Sequence, residues 1–244
     1  MKIIQNIFAR IWAAWGLLTF IISFAIIYLP SMIAWLLPEL MGQRYFIWIA
    51  RGWMNAWLFL VGCPVTITGR ENFKPGKTYI VVFNHNTLLD VTISCPYVPG
   101  ANKTIAKTSF AKIPLFGWYY SKGAVLVDRK DEKSRVRSFE EMKKVLAAGM
   151  HMCIYPEGTR NRSQEPLKAF YDGAFKLAVD TGKEIIPAVI TGTKKAMPVD
   201  TPFYLLPIRL KMHFMPAFSS TNTTVKELKE KVFNEMKQYY MDNG

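Results

Sequence analysis

The sequence predicts a layered α/β/α domain around a largely parallel (mixed) sheet, preceded by an N-terminal pair of apolar helices. Three observations carry this. Apolar, β-branched runs alternate with amphipathic stretches, the segment from Ile11 to Pro38 holds no charged residue, and polar turns follow directly on several of the runs. At 244 residues, half of them apolar, the chain has room for one sizeable domain plus an appendage, and global disorder is excluded.

The first element is "IWAAWGLLTFIISFAIIYL" (11–29), enough helix, at about 1.5 Å per residue, to cover a hydrocarbon core. Pro30 is expected to break or kink it, and "SMIAWLL" continues the apolar character. A second segment, 45–62, is apolar and aromatic but carries Arg51. Six of the seven tryptophans (12, 15, 35, 48, 53 and 57) fall in this part of the chain, and tryptophan concentrates at bilayer interfaces. Residues 1–62 therefore read as a membrane-associated helical hairpin that spans the bilayer or dips into one leaflet. A cleaved signal peptide fits poorly, because the apolar run is long and no small-x-small site follows it. A single span with Lys2 and Arg10 inside would put the rest of the chain on the far side. Two core helices of a soluble fold would leave the crowding of tryptophan unexplained.

Residues 63–244 read as the main domain. After "PVTITGREN", the runs "TYIVVF" (78–83), "GAVLVDR" (123–129), "HMCIYP" (151–156) and "EIIPAVITG" (184–192) look like buried strands. Between them, 131–149 places Val136, Phe139, Met142 and Leu146 at helical spacing and ends in glycine, and 172–182 is a shorter helix closed the same way. A last amphipathic helix opens at Thr224 with Glu227 three residues on, a capping box, and runs to about Tyr240. In a sheet of this kind, sites gather beyond the carboxyl ends of the strands. That brings "NHNTLLD", "DRK" and "PEGTR" to one edge.

The formal charge is +13, of which +3 lies in residues 1–61 and +10 in the remainder. A basic domain favours nucleic acid, an anionic membrane surface or a phosphorylated substrate. The main domain shows no interleaving of basic and aromatic residues, so nucleic acid is not expected as a partner. Cys63, Cys95 and Cys153 have neither paired nor metal-like spacing, which suits a reducing compartment, and no zinc or phosphate-loop pattern is present.

In "FNHNTLLD", His85 and Asp90 follow the first buried run. Histidine at a strand end can take a proton from a hydroxyl and return it, and Asp90 can fix its tautomer from the other ring nitrogen. On one continuous helix, five positions turn through about 500°, so the pair meets only if His85 precedes the helix and Asp90 lies in its first turn. The competing reading is a capped turn, since Thr87 and Asp90 at this spacing also resemble a capping box.

"NHNTLLD" resembles the NHxxxxD motif of the glycerolipid acyltransferases, and further blocks follow in order. "KTSFAKIPLFGW" (107–118) resembles the basic segment before an Ile-Pro-x-x-Gly stretch. "GAVLVDR" resembles the second block, "YPEGTRN" (155–161) the third with Tyr155 in place of phenylalanine, and "IIPAVI" (185–190) the fourth, centred on Pro187. The resemblance covers roughly residues 65–215, and the short length and two apolar N-terminal helices are most similar to the bacterial 1-acyl-glycerol-3-phosphate acyltransferases.

The resemblance implies acyl transfer from acyl-CoA or acyl-carrier protein to the 2-hydroxyl of lysophosphatidate, giving phosphatidate. It implies His85 as base, Asp90 as its orienting partner, and Arg129, Arg160 and Lys107 as a grip on the substrate phosphate. Asn84 has either a site role or a turn-stabilising one. Glu157 and Thr159 would bind glycerol while Gly158 lets backbone approach the ligand, or Glu157 would hold Arg160 or the loop in shape. A thioester is already activated, so neither metal nor cofactor is expected. An acyl-cysteine route through Cys153 is disfavoured by its apolar strand, and His151 and His213 read as structural. The expected location is the cytoplasmic face of the cell membrane, where the anionic acceptor resides in the bilayer and the donor is soluble. Open alternatives are transfer to glycerol 3-phosphate or a lyso-aminolipid, and a non-catalytic membrane lipid-binding protein.

Overall fold

The computed structural model describes residues 2–244. Of the break or kink expected at Pro30, the break does not occur: helix α1 (Lys2–Met32) continues past it, because a proline in the last turn removes only one donor before the helix ends. A 3-10 turn at Ile33–Trp35 leads to α2 (Glu39–Leu60), which returns antiparallel to α1. The indoles tie the two helices together. Trp12 and Trp15 donate to the carbonyls of Val61 and Leu60, Trp57 donates to Gly16, and Trp53 donates to the Ser23 hydroxyl. Four of the six N-terminal tryptophans thus have their N–H groups spent within the helix pair.

The two helices differ in what they bury. α2 lies against the domain: Arg51 donates to the carbonyls of Pro96 and Val98, and Gln43 to that of Asn102. α1 leaves Ile4, Ile11, Ile22, Ile26 and Leu29 exposed. Thr19, Ser23 and Ser31 lie on its inner side, and their hydroxyls bond back to carbonyls one turn earlier, so no buried donor is left unmet there. Among the described residues, one helix, Ile3–Trp35, is long and apolar enough to cross a membrane.

The main body alternates strand and helix in chain order: β1 (Val65–Thr68), β2 (Ile80–Phe83), α3 (Leu89–Ile93), β3 (Asn102–Lys107), α4 (Phe116–Lys122), β4 (Ala124–Val127), α5 (Glu132–Ala147), β5 (His151–Ile154), α6 (Gly173–Thr181), β6 (Ile185–Thr191), α7 (Thr193–Ala196), β7 (Leu210–Phe214) and α8 (Val225–Asn243). The strands form one sheet in the order β1-β7-β6-β2-β5-β3-β4. Every pairing is parallel except β6 with β7, so the sheet is mixed but largely parallel.

Alternation along the central strands divides the core in two. Val81, Phe83, Ile186, Ala188 and Ile190 pack toward α1, α2 and α3, while Ile80, Val82, Met152, Ile154 and Val189 pack toward α5, α6 and α8. Because both faces are covered, β2 is wholly buried, which is why it reads as an unbroken apolar run. The capping box of α8 forms as expected, with the Thr224 hydroxyl taking the Glu227 N–H and the Glu227 carboxylate taking the Thr224 N–H. Three strands, β1, β3 and β7, escaped the sequence reading. All three are only partly buried, and β3 and β7 mix lysine with apolar residues, so none shows a continuous apolar run.

Candidate active site

β2 delivers its chain end to the sheet edge, and the turn there is built around one carboxylate. Asp90 sits in the first turn of the short helix α3 and has no exposed surface. Its Oδ2 accepts the N–H groups of Asn86 (2.6 Å) and Thr87 (2.7 Å) and lies 2.9 Å from His85 Nδ1. The capped turn and the His85–Asp90 pair are therefore one structure: the carboxylate that closes the turn also holds the imidazole. A carboxylate can only accept, so the shared proton belongs to Nδ1, and the neutral ring keeps a lone pair on Nε2.

The rest of the His85 environment fixes the ring and backbone. Tyr155 lies against the imidazole with ring centroids 4.4 Å apart, and its hydroxyl donates to Ser94 Oγ at 2.7 Å. The tyrosine that departs from the usual phenylalanine is thus buried with its polar end met. Asn84 completes the sheet rather than the site: its side-chain amide donates to the Ile190 carbonyl and accepts the Ile190 N–H.

The turn after β5 clamps His85 from both sides. Glu157 Oε1 accepts the His85 N–H at 2.7 Å, and the Asn161 N–H donates to the His85 carbonyl at 2.7 Å. Glu157 Oε2 accepts the Lys168 N–H at 2.9 Å. With no exposed surface and both oxygens engaged by backbone, Glu157 fits loop-shaping rather than glycerol binding. Burial pushes its carboxyl up to about 7, against the lowering effect of those two N–H donors.

Gly158 has φ +72°, and a Cβ there would lie 2.7 Å from the Tyr171 ring and 3.5 Å from an Arg129 guanidinium nitrogen. Arg129, from the end of β4, is thereby brought onto the loop that carries Arg160. Thr159 is exposed and its hydroxyl accepts from Lys168 Nζ at 2.9 Å. Lys107 ends β3 at the same edge, in register with Val127 of β4, and is exposed. Among the described residues, Arg129, Arg160 and Lys107 form no ion pair.

Ser94, Asn161 and Lys168 were missed as contributors. Asn161 lies inside the third block, but backbone contacts leave no mark in a sequence. The remaining candidates are accounted for elsewhere. The Cys153 thiol is buried and pushed well above its ordinary value by that burial, which makes it a poor nucleophile. His151 accepts the Tyr79 N–H and is lowered to about 4 by burial, and His213 Nδ1 bonds Thr68 while the ring stacks on Tyr239. Among the described residues, no group of three or more His, Cys, Asp or Glu side chains is placed to hold a metal.

Asp90→Asn keeps an oxygen for the two backbone donors but removes the charge that steadies an imidazolium. The expected outcome is a fall in turnover of about 100-fold, smaller than for loss of the histidine, with little change in melting temperature. Steady-state kinetics beside thermal melts check it.

A family model described as acyltransferase matches residues 64–191. The chain is 35% identical over 149 residues to a 1-acyl-sn-glycerol-3-phosphate acyltransferase of Chlamydomonas reinhardtii, covering 59% of this chain and 44% of that one. To a protein of the same name from Helicobacter pylori it is 32% identical over 188 residues, covering 73% and 78% of the two chains. The crystal structure of the 1-acyl-sn-glycerophosphate (LPA) acyltransferase PlsC from Thermotoga maritima shares the fold, with a TM-score of 0.81 over 99% of this chain and 97% of that one at 22% identity. The chain spans about half the length of most of the curated relatives it matches.

Proposed function

Because the chain belongs to the acyltransferase family, we propose that it transfers a fatty acyl group from a soluble thioester to the sn-2 hydroxyl of lysophosphatidate, forming phosphatidate. The observation that carries this reading is the His85–Asp90 pair at 2.9 Å, set at a sheet edge beside three unpaired cations. Nε2 of His85 takes the proton of the acceptor hydroxyl as its oxygen attacks the thioester carbonyl. The tetrahedral intermediate collapses, the carbon–sulfur bond breaks, and the imidazolium returns the proton to the departing thiolate. Asp90 stabilises the imidazolium between these two transfers.

The acceptor's phosphate is held by Arg129 and Arg160, with Lys107 beside them. Guanidinium forks match phosphate oxygens, and the loop turn at Gly158 lets Arg129 lie against the site. Neither metal nor organic cofactor takes part, since the thioester is already activated; acyl-CoA and acyl-carrier protein are the two donor types that fit.

Helix α1 anchors the protein in the membrane that holds the acceptor. The basic body lies on the anionic cytoplasmic surface, where soluble thioesters are available. The acceptor assignment is tested by charge. Arg129→Ala and Arg160→Ala are each expected to raise KM for lysophosphatidate by about 10- to 100-fold and to leave transfer to a neutral monoacylglycerol unchanged. Equal losses with both acceptors would remove the phosphate assignment while leaving the acyl chemistry in place.

A further inference from the structure

The connection between β3 and β4 carries a surface that the chemistry above does not use. Between Phe110 and Trp118, four large apolar side chains stand in solvent: Phe110 (42% exposed), Ile113 (45%), Leu115 (63%) and Trp118 (70%). The turn is not slack. Phe116 N–H bonds Pro114 O and Gly117 N–H bonds Ile113 O, and a Cβ on Gly117 would meet the Ala111 carbonyl at 2.1 Å. Leu115 is held at φ 61°, ψ −56°, a region that side chains with a Cβ resist, and its side chain points outward. A rigid turn that spends backbone strain to present leucine to solvent calls for an apolar contact on that side.

Three features identify the contact. On its inner side the turn is seated on the N-terminal helices: Phe116 packs on Phe24, and Tyr119 packs on Phe24, Phe46 and Trp53. The turn therefore lies beside α1. Lys107 and Lys112 flank the apolar tip, and no acidic residue occurs between Asp90 and Asp128. Nearby Lys103 and Lys122 are already paired with Glu39, so the free charge at the collar comes from Lys107 and Lys112. An apolar, tryptophan-bearing tip with a cationic collar is the chemistry of an anionic bilayer interface.

We propose that the Phe110–Trp118 turn is a second, shallow membrane contact. It seats into the headgroup region of an anionic leaflet beside α1 and sets the active-site edge, where β3 ends at Lys107, at the depth of a bilayer-resident acceptor. The inference rests on α1 being the anchor, and the test separates the two. A second copy of the chain or an acidic acyl-carrier protein is the rival occupant.

The experiment uses the full chain with an environment-sensitive fluorophore attached at Leu115→Cys, Trp118→Cys, Ile22→Cys on α1, and Thr221→Cys in the loop before α8. Cys63 and Cys153 are buried and Cys95 is partly buried, so the introduced thiol reacts first. The vesicles are phosphatidylcholine with phosphatidylglycerol and a shallow doxyl-labelled lipid. The expected result is quenching at positions 22, 115 and 118 and none at 221. Quenching at 22 but not at 115 or 118 overturns the proposal and spares the anchor; no quenching at 22 removes both. A spectral shift at 115 without lipid that tracks protein concentration, or one that needs an acyl-carrier protein, assigns the turn to the rival occupant instead.

Leu115→Gly supplies a second reading that unfolding cannot confuse, since glycine relieves the strained φ. Its melting temperature should hold or rise while KM for lysophosphatidate in vesicles rises about tenfold, with transfer to a water-soluble short-chain acceptor unchanged. An unchanged KM in vesicles would overturn the proposal.

Discussion

Replacing His85 with alanine is expected to lower acyl transfer by about 10³- to 10⁴-fold while leaving the protein folded and bound to membranes. The fold should survive because the residue's structural bonds are made by its backbone: the N–H to Glu157 and the carbonyl to Asn161 are untouched by truncation. Asp90 keeps both backbone donors. What disappears is the only imidazole at this edge, since His151 and His213 are engaged elsewhere. No other group is placed to take over, because Cys153 is a buried thiol raised by that burial. Residual activity would come from bringing acceptor and donor together, which His85→Ala does not alter. Activity within tenfold of wild type would put the base elsewhere.

The second large effect concerns Glu157, which acts on His85 through its backbone. Glu157→Gln offers one oxygen to two N–H donors and turns an amide donor toward the other, so stability should fall by about 1 to 3 kcal/mol. The loss should depend on pH. Burial raises the folded carboxyl from its ordinary 4.5 to about 7, so between those values the folded protein binds more proton than the unfolded chain. Wild-type stability from this group is therefore full below about 4.5 and falls as pH rises toward 7, by about 3 kcal/mol. Glutamine does not titrate, so the gap between wild type and Glu157→Gln should narrow from pH 5 to pH 8. Thermal melts across that range check it; a gap that stays constant or widens would show that the carboxylate is held ionised. Activity should fall as well, since the clamp that sets His85 is loosened on one side only.

Much of this architecture is written in apolar pattern. β2 and β6 are covered on both faces and so appear as unbroken runs, and α5 and α8 carry their caps and spacing openly. β3 and β7 were hidden because half-covered strands with lysines imitate loops. Within the candidate site, His85, Asp90, Arg129 and Arg160 stand out because the proposed chemistry calls for those side-chain types at those places. The clamp does not stand out. It runs through the main chain of His85 and Asn161, and main-chain partners can be any residue. Glu157 was ambiguous for a related reason: a carboxylate in a glycine turn suits a hydroxyl ligand or two backbone donors equally, and only its burial decides. The tryptophans show the limit of composition, which reports that the N-terminal helices are apolar and aromatic but not that four indole N–H groups donate across the helix pair.

The central claim is the reaction itself, and one measurement meets it directly. Purified protein in vesicles would be given palmitoyl-CoA, or palmitoyl-acyl-carrier protein, with lysophosphatidate, glycerol 3-phosphate or a neutral lysolipid, and the products resolved by position of the new ester. The account predicts phosphatidate acylated at the sn-2 hydroxyl, formed from lysophosphatidate in preference to the other acceptors and lost with His85→Ala. Folded, membrane-bound protein that acylates none of them with either donor would contradict it.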